Sequence, residues 1–344
     1  MKLIIIGAGW YGLHIYSYIK KYYKEFDILL IEKCSEILNN SSFYNQNRLH
    51  IGYHYPRSHK TRELCKSNYN RFIKEYIETI DEINNNYYCI SKDSILDYNT
   101  YIKIFSNDDV YNHTIDKNDF LKNIDGDFIN TNEKIINSHK VKKYFESLIS
   151  ESEINFNYTV NDIKKENKKI KINNDLECDI LLDCSFNSLG IDKDCIYELT
   201  ISLVYSRINK ERDYGAITVM DGDFFSIFPR DDNLYTLTHV KYTPLIKSEN
   251  VNEIINYKVS EEKVEEIKKL MENDVDKYYK DFLKDFKYED FFVSYKCKKK
   301  TSCDLRDCNI IEKDNIISVH CGKITGIFEF EDYIKKYLDN YKQL

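Results

Sequence analysis

Two stretches gather the groups in this sequence that could do chemistry. The first is Gly7-Ala8-Gly9-Trp10-Tyr11-Gly12, a complete G-x-G-x-x-G. The second is Ser41 to Arg62, SSFYNQNRLHIGYHYPRSHKTR, which holds three of the 8 histidines together with Arg48, Arg57, Lys60 and Arg62. Glycines at the first spacing suit the pyrophosphate of a dinucleotide. Gly7 makes a tight turn, Gly9 lets a phosphate reach the backbone, and Gly12 lets a helix pack close to a strand. In the second stretch, histidine titrates near neutral pH and can take or give a proton. Arginine can hold a carboxylate or phosphate through paired hydrogen bonds.

Such groups need elements to position them. Lys2 to Ile6 is a short apolar run that reads as a strand buried on both faces. Tyr11 to Tyr23 fits a helix, Asp27 to Ile31 a second buried strand, and Glu32 closes it. Strand, glycine turn, helix, strand and acid in that order are the context that gives the motif its meaning. The helix N-terminus offers N–H groups and positive dipole to phosphates, and Glu32 can accept from ribose hydroxyls.

Downstream, the sequence predicts a loop over Cys34 to Asn47, a long amphipathic helix over His59 to Ile80 and a strand over Tyr87 to Ser91. A helix follows over Ser138 to Ser150, then a strand over Ile154 to Val160 and a small hairpin around Asn173-Asn174. Cys178 to Cys184 is another buried strand. Tyr197 to Ser206, Gly215 to Met220, Phe224 to Pro229 and Leu234 to Val240 read as strands of an antiparallel sheet. Val251 to Asp285 is largely helical, Phe291 to Lys299 a strand, and Phe328 to Tyr341 a closing helix. The βα pattern occurs at both ends and in the middle, with β-rich stretches between. This predicts an α/β fold: a Rossmann-like domain from residues 1–84, 137–199 and 299–344, with an α+β substrate domain on an antiparallel sheet inserted as residues 85–136 and 200–298.

A chain of 344 residues suits about two domains. A net charge of −7 argues against a general nucleic-acid binder. No stretch approaches the roughly twenty apolar residues needed to span a bilayer, so no transmembrane segment is expected. The chain enters a strand at once, which leaves no room for a signal peptide. The 10 cysteines form no C-x-x-C, and the nearest pair is Cys303 and Cys308. They read as reduced, mostly buried thiols of a cytoplasmic protein, and their spacing predicts no metal site.

The second stretch resembles the segment after the second strand in the glutathione-reductase-like, FAD-dependent oxidoreductases of the D-amino acid oxidase group. The L-2-hydroxyglutarate dehydrogenase branch carries a similar run, Asn-Ser-Gly-x-x-His-x-Gly-x-x-Tyr-Pro. Here it reads Asn45-Gln46-Asn47-Arg48-Leu49-His50-Ile51-Gly52-Tyr53-His54-Tyr55-Pro56, with Gln46 and Asn47 in place of Ser-Gly. Cys178 to Phe186 is similar to the strand that ends in Ala-Thr-Gly, with Cys184-Ser185-Phe186 at that position. Asn157 to Val160 resembles the strand whose last residue reaches the adenine through its backbone. Ile316 to Gly326 resembles the final strand–loop–helix, whose N–H groups meet the flavin pyrimidine end.

The resemblance implies FAD, held non-covalently because it puts Cys321 at the wrong end of the ring for a thioether. It implies cofactor contacts from Gly7, Gly9, Trp10, Tyr11, Gly12, Glu32, Lys33, Ser42, Gln46, Asn47, Arg48, Leu49, Val160, Cys184, Gly322, Lys323, Ile324 and Thr325. His50 and His54 are candidate proton acceptors, and Arg57 and Arg306 candidate anion anchors. Arg230, Tyr235, His239 and Tyr242 are candidates for the roof over the substrate, only some of which can face it because strand residues alternate. The implied activity is hydride transfer to flavin N5 from a C–H bearing an amine or hydroxyl, in an amino acid, hydroxy acid or sugar derivative. The electron acceptor, whether oxygen, quinone or another, is left open. A non-redox flavin-dependent nucleotide-sugar isomerase or mutase, and a non-catalytic dinucleotide-binding protein, remain as alternatives.

Overall fold

The structure is a computed structural model and describes residues 1–106, 108–211, 213–231, 233–300 and 308–341. One six-stranded sheet runs Cys308–Lys313, Ile316–Cys321, Ile180–Asp183, Lys2–Ile6, Asp27–Ile31, Ile154–Asn155. All its pairs are parallel except the edge hairpin of Cys308–Lys313 with Ile316–Cys321. Parallel strands are covered on both faces, which explains their unbroken apolar sequences. On one face, Leu3 and Ile5 share a core with Leu13, Ile15 and Ile19 of helix Trp10–Tyr22 and with Ile327, Phe330, Ile334 and Leu338 of helix Ile327–Tyr341. On the other face, Ile4, Ile6, Ile31 and Leu181 pack on Ile170, Ile172 and Cys178 of a small three-stranded sheet.

The second large sheet has nine strands, almost all antiparallel. Cys195–Arg207 pairs along its whole length with Phe286–Lys299, and on its other side with Pro244–Ser248 and Leu234–His239. Phe225–Asp231, Ala216–Met220, Asn86–Ser91, Ile124–Thr131 and His113–Asp116 continue it. Ala216–Met220 and Asn86–Ser91 form the parallel exception. The faces alternate with the period of two that strands impose. Ile201, Leu203, Ile217, Phe225 and Ile227 meet Val264, Ile267, Met271 and Val275 of helix Glu261–Asp276. Thr200, Ser202, Thr218 and Ser226 turn the other way, into a cavity. Among the described residues, no helix is long and apolar enough to cross a membrane.

Several elements differ from the sequence-based expectation. The strand expected to Val160 ends at Asn155, because Asn157 adopts φ +56° and the N–H of Tyr158 bonds to the carbonyl of Glu32. The expected hairpin is three strands, with left-handed turn residues at Asn167-Lys168 and Asn173-Asn174. Cys178 to Cys184 divides: Leu176–Cys178 joins the small sheet and Ile180–Asp183 the six-stranded one. The long helix stops at Glu75. Pro244–Ser248 was not expected as a strand, and proline is tolerated there because it is the first residue. The expected boundary at 199/200 falls inside Cys195–Arg207, which belongs wholly to the larger sheet.

Candidate functional site

Residues of both large sheets line one cavity of about 1460 Å³. Its first end is the glycine turn. Gly7 has φ +95°, and a Cβ there would lie 2.9 Å from the Cys184 carbonyl oxygen. A Cβ on Gly12 would lie 1.8 Å from the Gly7 carbonyl oxygen, so helix and turn touch backbone to backbone. At Gly9 a Cβ would lie 2.8 Å from Ser42 Oγ, and that hydroxyl accepts the Trp10 N–H at 3.1 Å. Gly9 caps the helix with no side-chain bond, and no acid stands in the first turn to oppose an anion.

Glu32 is buried and closes this end. Its Oε2 accepts the Ala8 N–H at 2.7 Å and its Oε1 the Cys34 N–H at 2.9 Å, so it pins the glycine turn as well as facing the cavity. Each carboxylate oxygen retains capacity for a further donor. Lys33 sits over the Phe186 and Tyr295 rings at 5.8 and 5.9 Å, and Val160 and Cys184 line the same end. Trp10 lines the cavity near its backbone, but its ring packs in the core against Phe72, Tyr76 and Phe145. Leu49 is fully buried in that core and does not line the cavity, and Gly12 acts through packing alone.

The other end is the loop after Ile316–Cys321. Gly322, Lys323, Ile324 and Thr325 all line the cavity. Tyr11 Oη donates to the Lys323 carbonyl at 2.7 Å, which ties the first helix to this loop. Lys323 Nζ contacts Tyr55 Oη and lies 4.0 Å from the centre of that ring. Thr325 Oγ1 is a buried hydroxyl left without a protein partner.

Beside that loop, joined to it through Tyr55, lie the histidines. His50 and His54 have ring centroids 5.4 Å apart, and Tyr55 packs on both. His50 Nδ1 is 3.5 Å from Glu133 Oε2. Glu133 is almost fully buried and accepts from the Ile51 N–H at 2.7 Å, the Gly52 N–H at 3.2 Å and Tyr88 Oη at 2.6 Å. Burial pushes the His50 pKa down to about 4, with the Lys323 charge adding to it. Burial alone would raise Glu133, but His50, Tyr88 and the Gly52 N–H overcome it and hold the carboxyl at about 2. At neutral pH the pair is a neutral imidazole beside a carboxylate.

Arg48 is buried under the larger sheet. It donates to Thr218 Oγ1 at 2.6 Å and to Ser226 Oγ, and its guanidinium lies 4.0 Å from the centre of the Phe228 ring. Burial lowers its pKa, and its Nε has no partner. Gln46 Nε2 reaches Thr236 Oγ1 at 3.1 Å, while Asn47, at φ +50°, donates to the Phe43 carbonyl at 3.3 Å and to Ser138 Oγ. Arg57, expected as an anion anchor, grips Asp221 with two bonds of 2.6 and 3.3 Å. Arg306 lies outside the described residues. Of the expected roof, His239 lines the cavity and bonds Asp274 at 2.8 Å, whereas Tyr235 faces the helix side.

Sequence reasoning missed Glu133, Asp221 and the hydroxyl-lined strands. Glu133 is a lone acid between two strands, with no motif around it. The alternation in Thr200-Ile201-Ser202-Leu203 was a readable signal of a sheet with one polar face.

The residues present fit the cofactor that the glycine turn implies. The turn leaves a side-chain-free cradle, Glu32 stands at the end of the second strand, and unpartnered Arg48 Nε and Thr325 Oγ1 face the same cavity.

No family model matches the chain. It is 29% identical over 345 residues to the FAD-dependent monooxygenase FPY4 of Fusarium mangiferae, across 98% of this chain and 91% of that protein. Among solved structures it is similar to the L-α-glycerophosphate oxidase of Mycoplasma pneumoniae, dithionite-reduced with FAD bound, at a TM-score of 0.72 and 11% identity, with 95% and 91% of the two chains covered. Glycine oxidase from Geobacillus kaustophilus gives a TM-score of 0.69 at 9% identity, with 94% and 90% covered. The fold is that of these oxidases, with a Rossmann-like parallel sheet.

Proposed function

We propose that this chain is an FAD-dependent oxidoreductase that oxidises a C–H bearing an amine or hydroxyl in a small polar substrate. The substrate would be an amino acid, a hydroxy acid or a sugar derivative. The observation that carries this reading is the neutral His50 backed by ionised Glu133 on the cavity wall. Bound FAD supplies a hydride acceptor at its N5. His50 takes the proton of the hydroxyl or ammonium, and Glu133 stabilises the imidazolium that forms. Because three further donors fix Glu133, it holds His50 in one orientation. Arg48, with Thr218 and Ser226, gives the substrate side a buried cation and hydroxyls that orient polar groups. The Asn45–Pro56 run supports a relationship to the L-2-hydroxyglutarate dehydrogenase branch, and the position of Cys321 between Tyr11 and Gly326 supports non-covalent FAD.

The test is anaerobic mixing of the yellow protein with amino acids, hydroxy acids and sugars, without a nicotinamide. One class should bleach the flavin. His50→Gln should slow the bleaching by about 10²- to 10⁴-fold at unchanged FAD content. A second reading is favoured by the similarity to FPY4: a monooxygenase, reduced by an external donor and consuming oxygen. Bleaching by a reduced nicotinamide and by none of the three substrate classes would replace the first reading with the second.

A further inference from the structure

Cys195, Cys297 and His320, the last two in the wall of the same cavity as His50, converge on one point, with their ligand atoms all within 4.8 Å of one another. They come from three separated segments. Cys195 opens the strand Cys195–Arg207, and Cys297 lies in its antiparallel partner Phe286–Lys299. Cys195 is opposite Lys299 and Tyr197 opposite Cys297, so the two thiols are diagonal neighbours on one face of the larger sheet. His320 comes from Ile316–Cys321 in the other sheet. The three are 2%, 7% and 4% exposed. His320 Nε2 lies 3.5 Å from Cys195 Sγ and 2.9 Å from Asp192 Oδ2, and Asp192 is itself buried.

We propose that Cys195, Cys297 and His320 form a site for Zn²⁺. Tetrahedral zinc with bonds of about 2.3 Å to sulfur and about 2.05 Å to nitrogen separates sulfur from nitrogen by about 3.5 Å, the observed distance. Thiolate and imidazole select zinc over magnesium or calcium, which prefer oxygen. A disulfide fits less well, because diagonal neighbours on paired strands are about 7–8 Å apart at Cα and disulfides need less than about 6.8 Å. Two thiolates balance the charge of the dication, while the Asp192 carboxylate beside His320 is paired with Lys299 Nζ at 3.1 Å. Asp192 is itself fixed beside His320, since its N–H and carbonyl both bond the Asn187 amide at 2.8 Å. The site takes three protein donors and leaves the fourth tetrahedral position to water. It fastens the larger sheet to the strand that leads directly into the Gly322–Thr325 loop.

The experiment is elemental analysis of the FAD-loaded protein, purified without chelator or affinity metal. About one zinc per chain is expected, falling at least tenfold in Cys195→Ser and in Cys297→Ser but not in Cys308→Ser. Should the serine variants fail to fold, the wild-type protein decides. After zinc removal it should take up one Co²⁺ with a sulfur-to-cobalt charge-transfer band and tetrahedral visible bands. Protein that is metal-free as purified and takes up neither Zn²⁺ nor Co²⁺ overturns the proposal. So does a Cys195–Cys297 disulfide found by mass spectrometry of the purified protein.

Discussion

The two ends of the cavity are built on opposite plans. At the glycine turn, the groups are mostly backbone, they follow one another in sequence, and the apolar strands around them fix their place. At the histidine and hydroxyl end, the groups are side chains from segments far apart: Arg48, His50, Glu133, Thr218 and Ser226. The first end depends on what is missing, a Cβ, and the second on charges that must find partners. Steric damage should therefore dominate at one end and electrostatic damage at the other.

The sharpest way to break that contrast is Gly12→Ala. The added carbon would meet the Gly7 carbonyl oxygen at 1.8 Å, and a backbone oxygen cannot swing aside. We expect about 3 kcal/mol of destabilisation or more, with loss of bound flavin, read by denaturant unfolding and absorbance. Near-normal stability would show that the turn opens freely.

At the other end, Glu133→Gln should cost about 3 kcal/mol, since it leaves donors facing an amide in a buried site. The same pair sets a pH dependence. His50 sits at about 4 when folded, below its ordinary 6.5. Between those values the unfolded chain binds the proton and the native one does not, so stability is complete above pH 6.5 and erodes as pH falls toward 4. Glu133, at about 2 against an ordinary 4.5, adds a second loss as pH falls from 4.5 to 2. His50→Gln should flatten the upper part of that slope and weaken the lower part, since His50 is the first of the groups that hold Glu133 down. Urea midpoints at pH 7 and pH 5 that respond identically in both proteins would contradict the assignment.

Glu32→Ala should weaken FAD binding by about 1.5–3 kcal/mol through loss of a charged acceptor, measured by titrating apoprotein. It tests whether the glycine end has an electrostatic component of its own, and unchanged affinity would make that end purely steric. The smallest effect is expected from Arg57→Ala. Its side chain is 56% exposed and its partner Asp221 is 8% exposed, so the pair should contribute less than about 1 kcal/mol to unfolding. A larger stability loss would move Arg57 from substrate handling to architecture.

The same contrast governs what the sequence reveals. The turn at Gly7–Gly12, the flanking strands and Glu32 are legible because they are contiguous and because buried parallel strands carry unmistakable apolar runs. Six strands of the larger sheet were also legible from their bounded β-branched and aromatic runs, whereas His113–Asp116, Ile124–Thr131 and Pro244–Ser248 were not. Their order was not, since pairing Asn86–Ser91 with Ala216–Met220 leaves no local trace. Glu133 and Asp221 were illegible for a similar reason: an acid looks like any surface acid until folding buries it against its donors. Cys195, Cys297 and His320 escape motif reading because three elements bring them together. Gln46 and Asn47 show that a resemblance can survive where the polar detail has changed, as both side chains find protein partners.

The interleaving of strands in the six-stranded sheet also has a meaning for synthesis of the chain. Its central strand, Lys2–Ile6, is bordered by Asp27–Ile31 and Ile180–Asp183, and the last of these by Ile316–Cys321. A ribosome adding about 5–20 residues per second takes roughly 15–60 s to travel from Gly12 to Thr325. The first strand keeps an open edge until Ile180–Asp183 is made, and throughout the interval the glycine cradle lacks the Gly322–Thr325 loop. A ligand that needs both walls of the cavity can therefore be enclosed only after the Gly322–Thr325 loop has been made.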